Sequence, residues 1–262
     1  MREILRAVAD GERSVAEAEA ELRGYATTES GRFDAARERR RGICEAILAD
    51  GKSEAQLIEL ATTALETTGR AILTRLEPNV AAALKTQLTA ATIDHNVQAR
   101  TLVARADGVE QPSIDATVAV VTGGTADLPV AGEAAAIARE SGPTVELICD
   151  VGVANLTRVV DQLDRLRRAD VLVVAAGREG ALATVVAGLV DAPVIGLPVS
   201  VGYGAGGDGE AAFYGMVQSC TALSVVNIDA GYTAGAQAGL IARAIAEARS
   251  SGTESSSPNS DK

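Results

Sequence analysis

Residues 116–127, ATVAVVTGGTAD, join a short and almost wholly apolar segment to a glycine-rich turn, and the helical segment 126–140 follows. The same order of apolar segment, turn and helix returns four times, with the apolar segments TVELIC (144–149), VLVVAA (171–176), PVIGLP (193–198) and SVVNID (224–229). Apolar strands that alternate with helices are typical of a parallel sheet covered on both faces. The repeat therefore predicts an α/β domain with a five-stranded, doubly wound, flavodoxin-like parallel sheet, whose ligands bind at the carboxyl ends of the strands.

The N-terminal part of the chain has a different pattern, which predicts a smaller α+β domain over residues 1–110. Ser53 can cap a helix over 54–67. Apolar and polar residues alternate over 91–105, which predicts a pair of strands around His95–Asn96. Turn residues at 107–112 mark the boundary. The predicted organisation is therefore an N-terminal domain over 1–110, a nucleotide-binding domain over 111–249, and a Ser-rich tail over 250–262 that we expect to be disordered.

The composition limits the class of protein and its environment. The chain has 262 residues, 47% of them hydrophobic and 23% charged, which is the balance of a soluble globular protein. No apolar run approaches the roughly 20 residues that a membrane span needs, and the N-terminus MREILRAVADGERS has the mixed charge of a helix rather than a signal peptide. We therefore expect a cytoplasmic protein without a membrane partner. The net charge of −11 also disfavours nucleic acid as a partner.

Histidine and cysteine are scarce, and this narrows the chemistry. The single histidine, His95, lies in the N-terminal part, so the C-terminal domain lacks the residue that a Ser–His–Asp triad or a multi-histidine metal site needs. The three cysteines fit neither a disulfide framework nor a metal clamp, and no metal-ligating residue is predicted. Cys44 has a strand context and Cys149 ends a strand, so both are interpreted as small hydrophobic residues.

Cys220 is the candidate nucleophile. It lies in FYGMVQSCTALSVVNID (213–229), at the end of a predicted helix over 210–222 and ahead of a strand that closes on Asn227 and Asp229. A thiolate nucleophile needs a pKa lowered by a nearby positive charge or by amide dipoles. The alternative, a thiol that serves only in packing, stays open at the level of sequence.

The first glycine-rich turn, residues 121–127, is a candidate anion and nucleotide site. Gly123 and Gly124 let the backbone approach an anion, and the helix that follows favours negative charge. Thr125 adds a hydroxyl donor, whereas Asp127 suits ribose hydroxyls better than phosphate. The turn is neither a Walker A loop nor a GxGxxG motif, because the lysine and the spacing are absent. A tight strand-to-helix turn without function would look similar, and that alternative also stays open.

Two later turns carry charged and polar candidates. In AAGREG (175–180), Glu179 follows Gly177, where a carboxylate can move a proton or position a small electrophile. The alternative is that Glu179 only caps the next helix. The glycine-rich loop 198–209 contains Ser200 and Tyr203, and we expect it to be a mobile lid or ligand-wrapping loop.

Together and in this order, these segments resemble the enzymes that begin the biosynthesis of the nickel-pincer cofactor of lactate racemase, the pyridinium-3,5-biscarboxylic acid mononucleotide synthases (LarB). The resemblance covers nearly the whole chain except the first helices and the tail. Each motif is weak alone, but the combination is specific. The matching stretches are FDAARERRRGICEAILADGKS (33–53), AILTRLEP (71–78), VTGGTADLPVAGEA (121–134), DVGVANLTR (150–158), AAGREGALATVVAGLVDAPVIGLPVSVGYG (175–204) and QSCTALSVVNIDAG (218–231).

The resemblance implies a reaction and a set of roles. The C-terminal domain of that family is related to aminoimidazole ribonucleotide (AIR) carboxylases, and the implied reaction converts nicotinic acid adenine dinucleotide and CO2 or bicarbonate to pyridinium-3,5-biscarboxylic acid mononucleotide and AMP. Cys220 would add to the pyridinium ring and make it nucleophilic, and Glu179 would support carboxylation or proton transfer. Gly123, Gly124, Thr125 and Asp127 would hold the mononucleotide half. The predicted substrate-binding residues are completed by Asp150, Arg158, Gly177, Ser200, Tyr203, Asn227 and Asp229.

Some positions depart from the family pattern. Thr157 replaces a usual histidine, Asn155 replaces a glycine, and Arg178 replaces a methionine beside Glu179.

Two other functions are alternatives. The nearest is an AIR carboxylase or mutase, but that family uses a histidine that the C-terminal half lacks. The other is a non-catalytic dinucleotide-binding module, in which Cys220 could be replaced without loss of function.

Cofactors and assembly are also predicted from the resemblance. We expect no tightly bound cofactor, and whether Mg²⁺ assists hydrolysis of the phosphoanhydride stays open. Relatives of this sheet form higher homo-oligomers, so we expect a homo-oligomer here.

Overall fold

The computed structural model describes residues 1–90, 92–202, 204 and 206–254. The chain divides into two compact units, Met1–Gln111 and the part that begins at Pro112. Each unit has its own hydrophobic core. The predicted tail falls largely outside the described residues, although its first part, through residue 254, continues the last helix.

The N-terminal unit is an α+β structure with a four-stranded sheet in the order β3-β4-β6-β5 and a separate hairpin of β1 and β2. Its elements are α1 (Arg2–Ala9), α2 (Val15–Arg23), β1 (Ala26–Thr27), β2 (Arg32–Phe33), α3 (Arg37–Arg41), β3 (Ile47–Leu48), α4 (Glu54–Thr68), β4 (Arg70–Thr74), α5 (Pro78–Gln87), β5 (Thr92–Asn96) and β6 (Thr101–Arg105).

Local sequence explains the main elements of this unit. Ser53 caps α4, since its hydroxyl accepts a hydrogen bond from Gln56 N–H while the Gln56 side chain accepts one from Ser53 N–H. The predicted strand pair is present as β5 and β6. The turn between them falls at 97–100 rather than at His95–Asn96, because His95 is paired with Leu102 inside the ladder.

The C-terminal unit contains a five-stranded sheet in the order β11-β10-β9-β7-β8, and all four neighbouring pairs are parallel. This order is that of a flavodoxin-like doubly wound sheet, so the predicted fold class is confirmed. Its elements are β7 (Thr117–Thr122), α6 (Leu128–Arg139), β8 (Thr144–Ile148), α7 (Thr157–Val160), α8 (Leu163–Arg168), β9 (Val171–Ala176), α9 (Ala181–Ala187), β10 (Val194–Pro198), α10 (Glu210–Val217), β11 (Ser224–Val225) and α11 (Gly231–Glu254), with a 3-10 turn at Thr125–Asp127.

Helices cover both faces of this sheet. Side chains alternate between the faces along each strand, so Val118 and Val120 of β7 pack with α6 and α11, whereas Ala119 and Val121 pack with α8 and α9. The central strand β9 is buried along its whole length. This rigid sheet fixes the positions of the turns that leave its carboxyl edge.

Close packing of α6 on α11 depends on glycines at every fourth residue of α11. A Cβ at Gly235 would overlap the backbone carbonyl of Ala134, and one at Gly239 would lie 2.5 Å from the Ser141 side chain. The absence of these Cβ atoms lets the two helices approach backbone to backbone. Among the described residues, no helix combines the length and the apolar character needed to cross a bilayer.

Candidate active site

A cleft of about 340 Å³ opens at the carboxyl edge of the five-stranded sheet. It lies between the turns that follow β7, β8 and β9, and Val201 from the loop after β10 closes one side. In the strand order, β7 and β9 are the neighbours whose connections run in opposite directions along the sheet. The cleft is therefore at the topological switch point, where doubly wound sheets bind their ligands. Five predicted site residues line it: Gly123, Gly124, Asp127, Gly177 and Glu179.

Glycines let the turns around the cleft approach one another closely. A Cβ at Gly152, after β8, would lie 2.7 Å from the carbonyl oxygen of Gly123, and one at Gly177 would overlap the carbonyl oxygen of Val201. Only a residue without a side chain fits at either point. Gly152 and Val201 were not predicted as site residues, although the position of Gly152 in a turn directly after a strand indicates such a role.

Asp127 is buried in the first turn, with 6% of its surface exposed. Its carboxylate accepts a hydrogen bond of 2.8 Å from Gly124 N–H. Burial raises the pKa of Asp127, and hydrogen bonds from the backbone amides of Gly124, Gly123 and Gly177 act in the opposite direction. The carboxylate is therefore hydrogen-bonded within the turn, while Asp127 also lines the cleft. Its contact with ribose hydroxyls stays a prediction.

Glu179 is exposed and lines the cleft after β9. The helix α9 begins after it with Gly180 as its N-cap, so Glu179 does not cap this helix. The backbone of Glu179 packs tightly against α10, because a Cβ at Gly215 would overlap its carbonyl oxygen. This contact fixes the main chain of Glu179 at the rim of the cleft, and the residue itself is exposed.

Asp150 and Arg158 form an ion pair of 3.0 Å next to the second turn, and both side chains are about half exposed. Asp150 N–H donates to the Thr122 hydroxyl oxygen at 3.2 Å, which fixes the turn to the end of β7. Asn155 Oδ1 accepts a hydrogen bond of 3.1 Å from Thr157 N–H at the start of α7. The departure at Asn155 thus supplies a local turn. Neither Asp150 nor Arg158 is among the residues that line the cleft.

Ser200, Asn227 and Asp229 form a second group at the carboxyl ends of β10 and β11, outside the cleft lining. Ser200 N–H donates to Asp229 Oδ1 at 2.9 Å, and Asp229 N–H donates to the carbonyl of Pro198 at 2.9 Å. Asn227 is exposed, as is Thr125 in the 3-10 turn. The predicted site residue Tyr203 lies outside the described residues.

Cys220 is exposed and lies on the connection from α10 to β11, not in the lining of the cleft. The predicted helix 210–222 is wrong at its end, since α10 stops at Val217, three residues before the thiol. The Thr184 hydroxyl donates a hydrogen bond of 3.0 Å to the adjacent Ser219 hydroxyl, and the Thr221 hydroxyl lies 2.7 Å from the Ser219 hydroxyl. Thr184 is one turn, or about 5 Å, into α9, so Ser219 packs one turn below the end that carries Glu179.

The other cysteines differ from each other. Cys44 is buried as predicted, whereas Cys149 is exposed. The interpretation of Cys149 as a packed hydrophobic residue is wrong, because it follows β8, which lies at the edge of the sheet and is only partly covered. In the described part of the chain, no group of three or more His, Cys, Asp or Glu side chains could hold a metal ion.

The backbone is strained at three of these turns. Asp150, Arg178 and Asp229 each follow a strand of the sheet and have φ values of 59°, 52° and 55°. Such left-handed conformations are uncommon for residues other than glycine and are enriched at functional sites. Arg178 was predicted only as a departure from a family pattern, but it is one of the residues that line the cleft.

The fold and the cleft define an α/β protein with an open cleft at the switch point of a flavodoxin-like sheet. The family described as AIR carboxylase matches residues 117–257, and the family described as LarB/PurE-like N-terminal domain matches residues 25–106. The chain is also similar to the uncharacterized protein MJ0165 of Methanocaldococcus jannaschii, with 34% identity over 93% of this chain and 97% of that protein. The chain belongs to the LarB family, in which a LarB-type N-terminal domain precedes an AIR carboxylase domain.

Proposed function

We propose that this protein is a nicotinic acid adenine dinucleotide carboxylase and phosphoanhydride hydrolase that forms pyridinium-3,5-biscarboxylic acid mononucleotide and AMP. Membership of the LarB family supports a carboxylase-type enzyme with a nucleotide substrate and CO2. The observation that carries the finer proposal is the cleft at the switch point, which Glu179 lines together with glycines of three turns. A nucleotide fits such a site because the backbone approaches it closely there.

The proposed chemistry begins with the exposed thiol of Cys220. Its thiolate adds to the ring carbon beside the pyridinium nitrogen, and the electron pair of the ring moves to nitrogen. The ring is then an enamine, and its adjacent carbon attacks CO2 to form a carbon–carbon bond. Glu179 removes the proton from that carbon, and expulsion of the thiolate restores aromaticity. Water cleaves the phosphoanhydride, and AMP leaves.

The arrangement of α9 and α10 supports these roles. Glu179 comes just before the first turn of α9, and Ser219, the neighbour of Cys220, contacts Thr184 at the end of that turn. The thiol is exposed and therefore available to a substrate. Since Cys220 is outside the lining of the cleft within one chain, the proposal requires the pyridinium ring to lie at the α9–α10 margin of the cleft, or a second copy to supply the thiol.

A comparison of two substrates separates this function from that of an AIR carboxylase. Purified protein is incubated with bicarbonate and either nicotinic acid adenine dinucleotide or aminoimidazole ribonucleotide, and the products are resolved by mass spectrometry. We expect AMP and a doubly carboxylated pyridinium mononucleotide from the dinucleotide, and unchanged aminoimidazole ribonucleotide. Carboxylation of the imidazole, with the dinucleotide left intact, contradicts the proposal. The absence of histidine from residues 112–262 favours the first result.

A further inference from the structure

The cleft presents an unusual set of charges to an anionic ligand. Its described lining contains two carboxylates, those of Asp127 and Glu179, and a single arginine, Arg178. The chain as a whole has a net charge of −11. A nucleotide or a pyridine carboxylate that enters this cleft therefore meets acidic side chains and one cationic group.

The Asp127 carboxylate engages backbone amides of two turns that line the cleft. Gly124 N–H of the first turn donates to Asp127 Oδ2 at 2.8 Å, and the amides of Gly123 and of Gly177, which follows β9, also act on this carboxylate. These amides are therefore less available to a ligand phosphate than those of a glycine-rich turn without a carboxylate. Arg178 is the one cationic side chain that the described lining adds to the remaining backbone donors.

The backbone of Arg178 lies against the loop that follows β10. Its φ of 52° is unfavourable for a residue with a side chain. The preceding Gly177 packs against the carbonyl of Val201, and a Cβ at Gly202 would lie 3.5 Å from Arg178 N. The loop after β10 thus fixes the backbone of Arg178 in this strained conformation beside the cleft, as is common where a binding residue must be positioned.

We propose that Arg178 determines ligand specificity in this cleft by binding an anionic group, either a pyridine carboxylate or a phosphate, through its guanidinium. A guanidinium offers planar, paired donors that match a carboxylate or a phosphate, which lysine does not. The inference rests on the proposed function in taking this cleft as the substrate site. It adds the residue that selects an anionic ligand over its neutral analogue.

Calorimetric titration without bicarbonate tests this role apart from turnover. The probes are nicotinic acid mononucleotide, which has both anions, nicotinamide mononucleotide, which keeps only the phosphate, and nicotinic acid riboside, which keeps only the carboxylate. Arg178→Met is compared with Arg178→Lys and with Arg168→Met, an exposed position on α8 outside the cleft lining. Both substitutions at residue 178 keep a side chain there, so the backbone strain at this residue is unchanged. Arg168→Met leaves residue 178 as it is.

We expect Arg178→Met to bind nicotinic acid mononucleotide about tenfold more weakly or worse, as befits loss of a hydrogen bond to a charged group. Arg178→Lys should lose less, and Arg168→Met should bind as the native protein does. The single-anion probe whose affinity falls identifies the carboxylate or the phosphate as the group that is bound. If Arg178→Met binds all three probes with affinities within twofold of native, the assignment is overturned. The absence of probe binding to the native protein overturns it as well. Binding that depends on Arg178 without formation of a dicarboxylate contradicts only the proposed reaction.

Discussion

At the scale of single residues, Glu179 is the exposed acidic residue of the cleft lining, and its backbone is held against Gly215. We expect Glu179→Gln to bind nicotinic acid adenine dinucleotide with native affinity but to form dicarboxylated product at least about 100-fold more slowly, since a general base is lost. Product formation measured by mass spectrometry, with binding measured separately, checks this. Glu247→Gln, at an exposed position of α11, is the matched control. Full turnover by Glu179→Gln would remove Glu179 from the mechanism.

Asp127 gives a prediction about pH. Burial raises its pKa above the ordinary value of 3.8, so the folded state holds the proton more tightly than the unfolded state does. Its contribution to stability is therefore fully present below the ordinary pKa and is lost as pH rises through the raised pKa. Asp127→Asn cannot ionise, so its stability relative to the native protein should be greater at pH 7 than at pH 4.

Chemical denaturation of both proteins at the two pH values measures this difference. A native protein that gains stability over Asp127→Asn as pH rises would show that the carboxylate is favoured in its ionised form. The sequence could place Asp127 in the first glycine-rich turn, but not show that its carboxylate folds back onto Gly124 N–H. That direction depends on burial and on the approach of Gly177 from another strand.

At the scale of elements, the packing of α6 on α11 contributes to the stability of the core on one face of the sheet. Gly235→Val should lower the free energy of unfolding by about 1–3 kcal/mol or more, because its side chain would be forced against the Ala134 backbone. Ala244→Val places the same side chain at an exposed position of the same helix and should cost much less. Urea denaturation measures both values. Helix propensity alone favours valine over glycine and disfavours it relative to alanine, so a loss at Gly235→Val no larger than that at Ala244→Val would contradict the close contact.

The elements show which features a sequence can predict. The five apolar segments predicted a parallel doubly wound sheet, because strands that are buried on both faces are apolar along their whole length. Few other structures combine such apolar segments with the glycine turns that follow them. Helix ends were harder. The segment between β8 and β9 contains two short helices, α7 and α8, rather than one. The predicted helix 210–222 ends at Val217, because Ser219 and its hydroxyl partners form a turn instead.

The site was predictable only in part, for a related reason. Residues that directly follow β7 and β9, such as Gly123 and Glu179, could be placed at the cleft because the carboxyl ends of neighbouring strands meet at one edge. Val201 and Gly152 reach it through contacts between loops, which no spacing in the sequence encodes. The position of Cys220 relative to the cleft depends on the length of α10 in the same way.

At the scale of the whole molecule, the two units have separate cores. We expect residues 112–254, expressed alone, to unfold cooperatively and to bind nicotinic acid mononucleotide, because the sheet, its helices and the cleft all belong to that unit. Thermal denaturation followed by circular dichroism, together with calorimetric titration, checks both properties. A gradual transition with exposed apolar surface would instead mean that this core depends on the N-terminal unit.

We propose a homo-oligomer from the resemblance, and mixing two inactive variants tests whether its copies share an active site. Because Cys220 is exposed and outside the cleft lining of its own chain, an assembly could bring the thiol of one copy to the cleft of another. Mixing Cys220→Ser with Glu179→Gln should restore product formation if the two residues act between copies. No restoration is expected if they act within one chain.

The central claim is that the sulfur of Cys220 bonds to the pyridinium ring and makes carboxylation possible. The direct measurement is mass spectrometry of native protein and Cys220→Ser after incubation with nicotinic acid adenine dinucleotide and ¹³C-bicarbonate. The account predicts that the native protein forms a ¹³C-labelled dicarboxylated mononucleotide and AMP, whereas Cys220→Ser folds, binds the dinucleotide and forms no labelled product. Labelled product from Cys220→Ser at the native rate would contradict the account.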